Sequence, residues 1–136
     1  MIYITRVEHF NAAHKLWNEN WSVEKNKEVF GKCANENFHG HNYELHVTVK
    51  GAIDESTAFV INAKTLGKII IEKVVDKVDH CNLNSDVDFM KGKMTSAENF
   101  TIAIWDILKP EIEKENCSLH CIKLIETPKI YIEYYG

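Results

Sequence analysis

Hydrophobic and polar positions alternate most regularly from His39 onward. His39, His41, Tyr43, Leu45, Val47 and Val49 occupy one side of a two-residue period, and Asn42, Glu44, His46, Thr48 and Lys50 occupy the other. That pattern predicts a half-buried β-strand. Ile2 to His14, rich in β-branched and aromatic residues, reads as an earlier strand with Phe10, Ala12 and His14 on one face. The His39 strand turns at Gly51–Ser56 into a short third strand, Ala58 to Ile61, completing a hairpin. The period then lengthens: Leu66, Ile69, Ile70, Val74 and Val78 recur at helical spacing behind Asn62, a natural N-cap. A second helix runs through Phe100, Ile104, Ile107 and Leu108. It opens at Thr95-Ser96-Ala97-Glu98, which has the form of a capping box, and Pro110 ends or kinks it.

Two strands, Leu119 to Glu126 and Ile130 to Tyr135, close the chain around Thr127-Pro128-Lys129. Leu16 to Phe30, polar with scattered Trp, reads as a loop with a helical turn. The order βββ-αα-ββ predicts an α+β domain spanning residues 1–136. Its antiparallel four-stranded sheet, with a short third strand, carries two helices on one face.

Composition narrows the function classes. A net charge of −4 offers no basic field for nucleic acid or anionic lipid. The apolar runs, such as Ile69-Ile70-Ile71, are too short to span a bilayer. Met1 to Arg6 shows no secretory signal pattern, and Cys33, Cys81, Cys117 and Cys121 form no paired framework, so a reducing cytoplasm is expected.

The chemistry concentrates between Lys32 and Val47, K-C-A-N-E-N-F-H-G-H-N-Y-E-L-H-V. His39 and His41, two apart on a strand, project from the same apolar side, either as metal ligands or as satisfied core histidines. His14 lies on the matching face of a strand that could pair beside them. Three imidazoles without a fourth protein ligand describe a zinc with an open position. Cys33, in a Gly-Lys-Cys turn, is a candidate base or nucleophile or a half-buried thiol. Asp79-His80, at the end of the first helix, is a carboxylate-oriented imidazole or a helix-terminal histidine. Glu126 shares a face with Ile122 and Leu124, and an inward carboxylate needs partners; two N–H donors of an aminopyrimidinone would serve. Glu98 is already explained by the capping box with Thr95. His9 and His46 fall on polar faces, and Cys121 reads as core.

These segments, taken in order, resemble the 6-pyruvoyl-tetrahydropterin synthase family, which includes the 6-carboxytetrahydropterin synthases of queuosine biosynthesis. The resemblance rests on F-N-A-A-H (Phe10 to His14), G-K-C (Gly31 to Cys33) and H-G-H-N-Y (His39 to Tyr43). It continues through V-D-H-C-N-L-N (Val78 to Asn84), T-S-A-E-N (Thr95 to Asn99) and I-E-T (Ile125 to Thr127). It implies a T-fold whose chains assemble as two stacked trimers, a homohexamer with active sites between subunits. It further implies Zn²⁺ on His14, His39 and His41, Cys33 as base, Asp79 and His80 as proton relay, and Glu126 as anchor for the pterin ring. Glu98 and Thr127 are expected as secondary pterin contacts. The implied substrate is 7,8-dihydroneopterin triphosphate, with no nicotinamide or flavin.

Five residues separate Cys33 from His39, a gap that resembles the pyruvoyl-forming branch. Ala34-Asn35-Glu36-Asn37 departs from the Asn-Asn-Pro-Asn common there, and Glu36 leaves a hydroxymethyl-forming side activity open. A non-catalytic zinc-stabilised assembly module has no use for base, relay and ring anchor together. A Cys33–His80 thiol hydrolase has none for three ligand histidines.

Overall fold

A computed structural model describes residues 1–136. Strand β1 (Ile2–His14) and strand β2 (His39–Gly51) pair antiparallel along their whole lengths, from Ile2 opposite Gly51 to His14 opposite His39. Between them lie helix α1 (Val23–Phe30) and a 3₁₀ turn, Gly31–Ala34. Helix α2 (Ala63–Ile70) runs through a π-helical turn, Ile71–Val75, into helix α3 (Asp76–Val78). A two-residue strand β3 (Cys81–Asn82), helix α4 (Ala97–Ile112), and strands β4 (Ser118–Thr127) and β5 (Ile130–Tyr134) follow. The sheet order is β3-β1-β2-β4-β5.

The alternation read from β2 becomes its burial pattern: Tyr43, Leu45, Val47 and Val49 are buried while Glu44, His46, Thr48 and Lys50 are only part-buried. That inner row joins Leu66, Ile70, Val74 and Val78 from the first helical rod and Phe100, Ile104 and Leu108 from α4 in one 24-residue apolar cluster. At roughly 1.5–3 kcal/mol for each fully buried Leu, Ile, Val or Phe, this row fixes the strand's register, because a one-residue slip would expose all of it.

The expected short strand Ala58 to Ile61 does not form. Asp54 Oδ1 accepts from the backbone N–H groups of Ser56 and Thr57, and Ala58 takes a left-handed φ of 61°, so the segment folds into turns rather than a hairpin. The sheet has five strands rather than four, and its extra member, β3, runs parallel to β1, with Ala12 opposite Cys81. Residues 23–30 make a full helix, with Ser22 Oγ accepting from Lys25 N at 3.1 Å. Asn26, fully buried, ties that helix to the preceding loop through Asn18. Asn62 caps α2 as expected, through Lys64 N at 2.8 Å. Pro110 lies inside α4, which continues to Ile112.

Two irregularities in β4 re-aim its side chains. In β4 the register slips opposite Thr48 and Val49, so His120 is an extra residue. Leu119 and Ile122 thus both serve the core cluster, and Cys121 is buried, as expected, beside rather than within it. A second slip between Ile125 and Thr127 leaves Glu126 as the unpaired residue of a bulge. Bulges recur where a strand must re-aim one side chain.

Candidate active site

The full-length pairing of β1 with β2 brings His14 opposite His39, and the two-residue period adds His41 on the same side. The ligand nitrogens of the three histidines all lie within 4.8 Å of one another. His14 Nε2 is 3.2 Å from His41 Nε2, and the His14 and His39 ring centroids are 4.5 Å apart. Burial holds all three imidazoles below their ordinary pKa; Thr95 and Glu126 partly offset this at His14, and at each ring a neighbouring imidazole adds to it. The rings are therefore neutral near pH 7 and present lone pairs.

Both ring nitrogens of His39 are buried without a protein hydrogen-bond partner. Such orphaned atoms cost stability unless they have another use. His14 Nδ1 faces the Thr95 carbonyl oxygen at 2.6 Å. A carbonyl only accepts, so Nδ1 carries the proton and Nε2 points into the cluster. Three neutral imidazoles, with the tautomer of His14 fixed and the nitrogens of His39 unsatisfied, fit a metal ion.

Cys33 arrives through local geometry. Gly31, at φ 54°, closes α1 into the 3₁₀ turn. The Cys33 carbonyl accepts from Leu16 N at 2.8 Å, which ties that turn to the chain just beyond β1. Cys33 then lines a cavity of about 210 Å³ together with His14, Glu98 and Glu126. Burial raises the Glu126 carboxyl above its usual range, with His14 opposing and Glu98 adding to the shift. The 3.7 Å approach of Glu126 to His41 is no ion pair while His41 stays neutral.

Glu98 is released from the capping role assigned to it. Ser96, one residue later than Thr95, caps α4 by accepting from Asn99 N at 3.2 Å, and the Thr95 hydroxyl is engaged by Lys15 and Asn84. Glu98 is left free to line the cavity. Thr127 Oγ1 instead accepts from Lys129 N in the β4–β5 turn, and it is not among the cavity's lining residues.

Asp79 and His80 end the first helical rod. His80 takes a left-handed φ of 60°, turning the chain into β3. Its Nδ1 donates to Asp79 Oδ1 at 3.0 Å. The same oxygen accepts from Asn11 N at 3.0 Å, and these contacts, Asn11 first, hold the Asp79 carboxyl below its usual range. A charged Asp79 keeps the proton on Nδ1, leaving Nε2 of the exposed imidazole free. His80 does not share the cavity of Cys33. It lines a separate one of about 540 Å³, with His41, Asn42 and Asp86.

Sequence reasoning left Tyr43 in the core with no further use. Its hydroxyl is buried without a protein partner, and burial, reinforced by Glu126, pushes its pKa upward. The signal was its position two residues beyond His41 on the same face.

A sequence profile described as 6-pyruvoyl tetrahydropterin synthase matches residues 3–136. The chain belongs to that family. A 6-pyruvoyl tetrahydrobiopterin synthase of Dictyostelium discoideum is 42% identical over 135 residues, 99% of this chain and 96% of the relative. The structure of Caenorhabditis elegans 6-pyruvoyl tetrahydropterin synthase superposes with a TM-score of 0.91 at 38% identity, covering 99% of this chain and 95% of that one. A 6-carboxy-5,6,7,8-tetrahydropterin synthase of Haemophilus influenzae is more distant, 28% identical over 124 residues that cover 76% of this chain and 84% of the relative. The T-fold and the α+β class follow from this membership and the observed sheet.

Proposed function

We propose that the chain is a zinc-dependent lyase that converts 7,8-dihydroneopterin triphosphate to 6-pyruvoyl-tetrahydropterin and eliminates triphosphate. The observation that carries this reading is the three-histidine cluster, whose buried member His14 lines a cavity together with Cys33 and Glu126. The match to 6-pyruvoyl tetrahydrobiopterin synthases at about 40% identity over nearly the whole chain favours this product. The 6-carboxy product, released with acetaldehyde, is the alternative that the 28% relative represents.

His14, His39 and His41 would hold Zn²⁺, which when bound supplies Lewis acidity toward the side-chain oxygens of the substrate. Glu126 accepts two N–H donors of the aminopyrimidinone ring; a carboxylate strained by burial gains most from such donors. Glu98 stands beside it as a second acceptor. Cys33, as thiolate, removes a carbon-bound proton from the side chain. His80, fixed in one tautomer by Asp79, exchanges protons on the other face. Hydrogen leaves the side chain and arrives on the ring, so the oxidation of one balances the reduction of the other and no external redox cofactor enters.

In one chain Cys33 and His80 line different cavities. A second copy that brings its own base or relay across would unite them in one reaction, which supports sites between subunits, as in the homohexamer that the family resemblance implies. Mixing tests it. Cys33→Ala and His80→Ala chains, each inactive alone, should regain up to roughly one quarter of the activity when co-assembled, because random pairing reunites both intact residues at that fraction of interfaces. Failure to regain any would place the whole site in one chain.

A further inference from the structure

The three histidines do not hold themselves in place, and His14 depends on a residue far from it in sequence. β1 ends at His14, and Lys15 beyond it has no strand partner. The carboxamide of Asn84 takes that role: its Oδ1 accepts from Lys15 N at 2.9 Å and its Nδ2 donates to Lys15 O at 3.0 Å. This pair of bonds continues the sheet by one residue with a side chain in place of a strand.

The same Oδ1 lies 3.1 Å from Thr95 Oγ1, which also reaches Lys15 O at 3.2 Å. Thr95 is 1% exposed, and its carbonyl is the group that faces His14 Nδ1. Asn84 is held in turn by its own N–H on Asn82 Oδ1 at 2.9 Å, while Leu83 N donates to Ala13 O at 2.8 Å. One amide therefore joins the end of β1, the loop after β3 and the entry to α4 around a single imidazole.

We propose that Asn84, acting through Thr95 and Lys15, is a positioning residue that fixes the tautomer and height of His14 for metal binding. The inference rests on the metal reading above. Partners that orient a ligating imidazole typically change metal affinity about 10–100-fold when removed.

The test uses the full-length protein stripped of metal and titrated with Zn²⁺ against a chromophoric chelator. Nitrogen-15 spectra of the metal-free histidines are recorded alongside. Asn84→Ala is expected to weaken zinc binding about 10–100-fold and to mix the His14 tautomers, with the helical circular dichroism kept. Thr95→Val, which removes the hydroxyl at nearly constant volume, should shift both readouts the same way, and Thr95→Ser should restore them. A wild type that binds zinc while Asn84→Ala and Thr95→Val bind equally well, with His14 unchanged, overturns the proposal and leaves the metal site standing. A wild type that binds no zinc overturns both. Should Asn84→Ala lose its fold, the Thr95→Val and Thr95→Ser pair decides the matter alone.

Discussion

Tyr43→Phe removes a single oxygen from beneath the histidine cluster. The ring keeps its surroundings: it stacks on Phe10 at 5.1 Å and meets Phe100 edge-on at 5.6 Å. The hydroxyl has no protein partner and the residue is 1% exposed. Leaving a buried hydroxyl unsatisfied costs about 1–3 kcal/mol, so its removal should stabilise the ligand-free protein by about that amount. For a chain of 136 residues, this is a rise in Tm of roughly 3–12 °C. If the oxygen is retained for a ligand bound at the neighbouring histidines, the same change should lower kcat/KM by about tenfold, the equivalent of one lost hydrogen bond. Differential scanning calorimetry of metal-free protein and steady-state kinetics of zinc-loaded protein measure the two effects. A Tm unchanged or lowered would show that the hydroxyl is satisfied without a ligand, and would refute the reasoning that sets stability against function here.

His39→Ala should abolish stoichiometric zinc binding, measured by metal analysis after desalting; full occupancy would remove His39 from the ligand set. Cys33→Ala should bind pterin normally yet lose about 10²–10⁴-fold in kcat if it removes the general base, and unchanged turnover would transfer the role to another group such as Glu36. Burial raises the folded-state pKa of Glu126 above its ordinary value of 4.5. The unfolded chain therefore ionises first as pH rises, and the cost of holding the charge in the fold is present above that value and absent well below it. Glu126→Gln should accordingly stabilise metal-free protein at pH 7, with the difference vanishing below about pH 4. Denaturant titrations at both pH values check the sign, and a variant less stable at pH 7 would contradict it.

Much of the site was legible because β-strand period converts directly into geometry. His39, His41 and Tyr43 share a face whatever the rest of the chain does, and His14 joined them once β1 and β2 paired. The misread elements are those decided by tertiary context. Ala58 to Ile61 is apolar and short, a run that suits strand or turn equally, and Asp54 settled it by gathering two N–H groups. β3 is only two residues long, and its parallel partner is fixed by the turn at His80. The capping frame of α4 shifted by one residue because Thr95 was drawn into contact with Lys15 and Asn84, a pull from over ten residues upstream that no local pattern records. Glu98 became available to the cavity for the same reason. The separation of Cys33 from His80 into two cavities could not be read from spacing at all, since it depends on which side of the β1–β2 pair each loop approaches.

The most direct test of the central claim is product identification. Zinc-loaded protein is incubated with 7,8-dihydroneopterin triphosphate, and the products are resolved by mass spectrometry with and without a reductant that traps ketones. The proposed function gives a 6-pyruvoyl product and one triphosphate per turnover. A 6-carboxy product with acetaldehyde, or zinc-bound protein that turns nothing over, would contradict it.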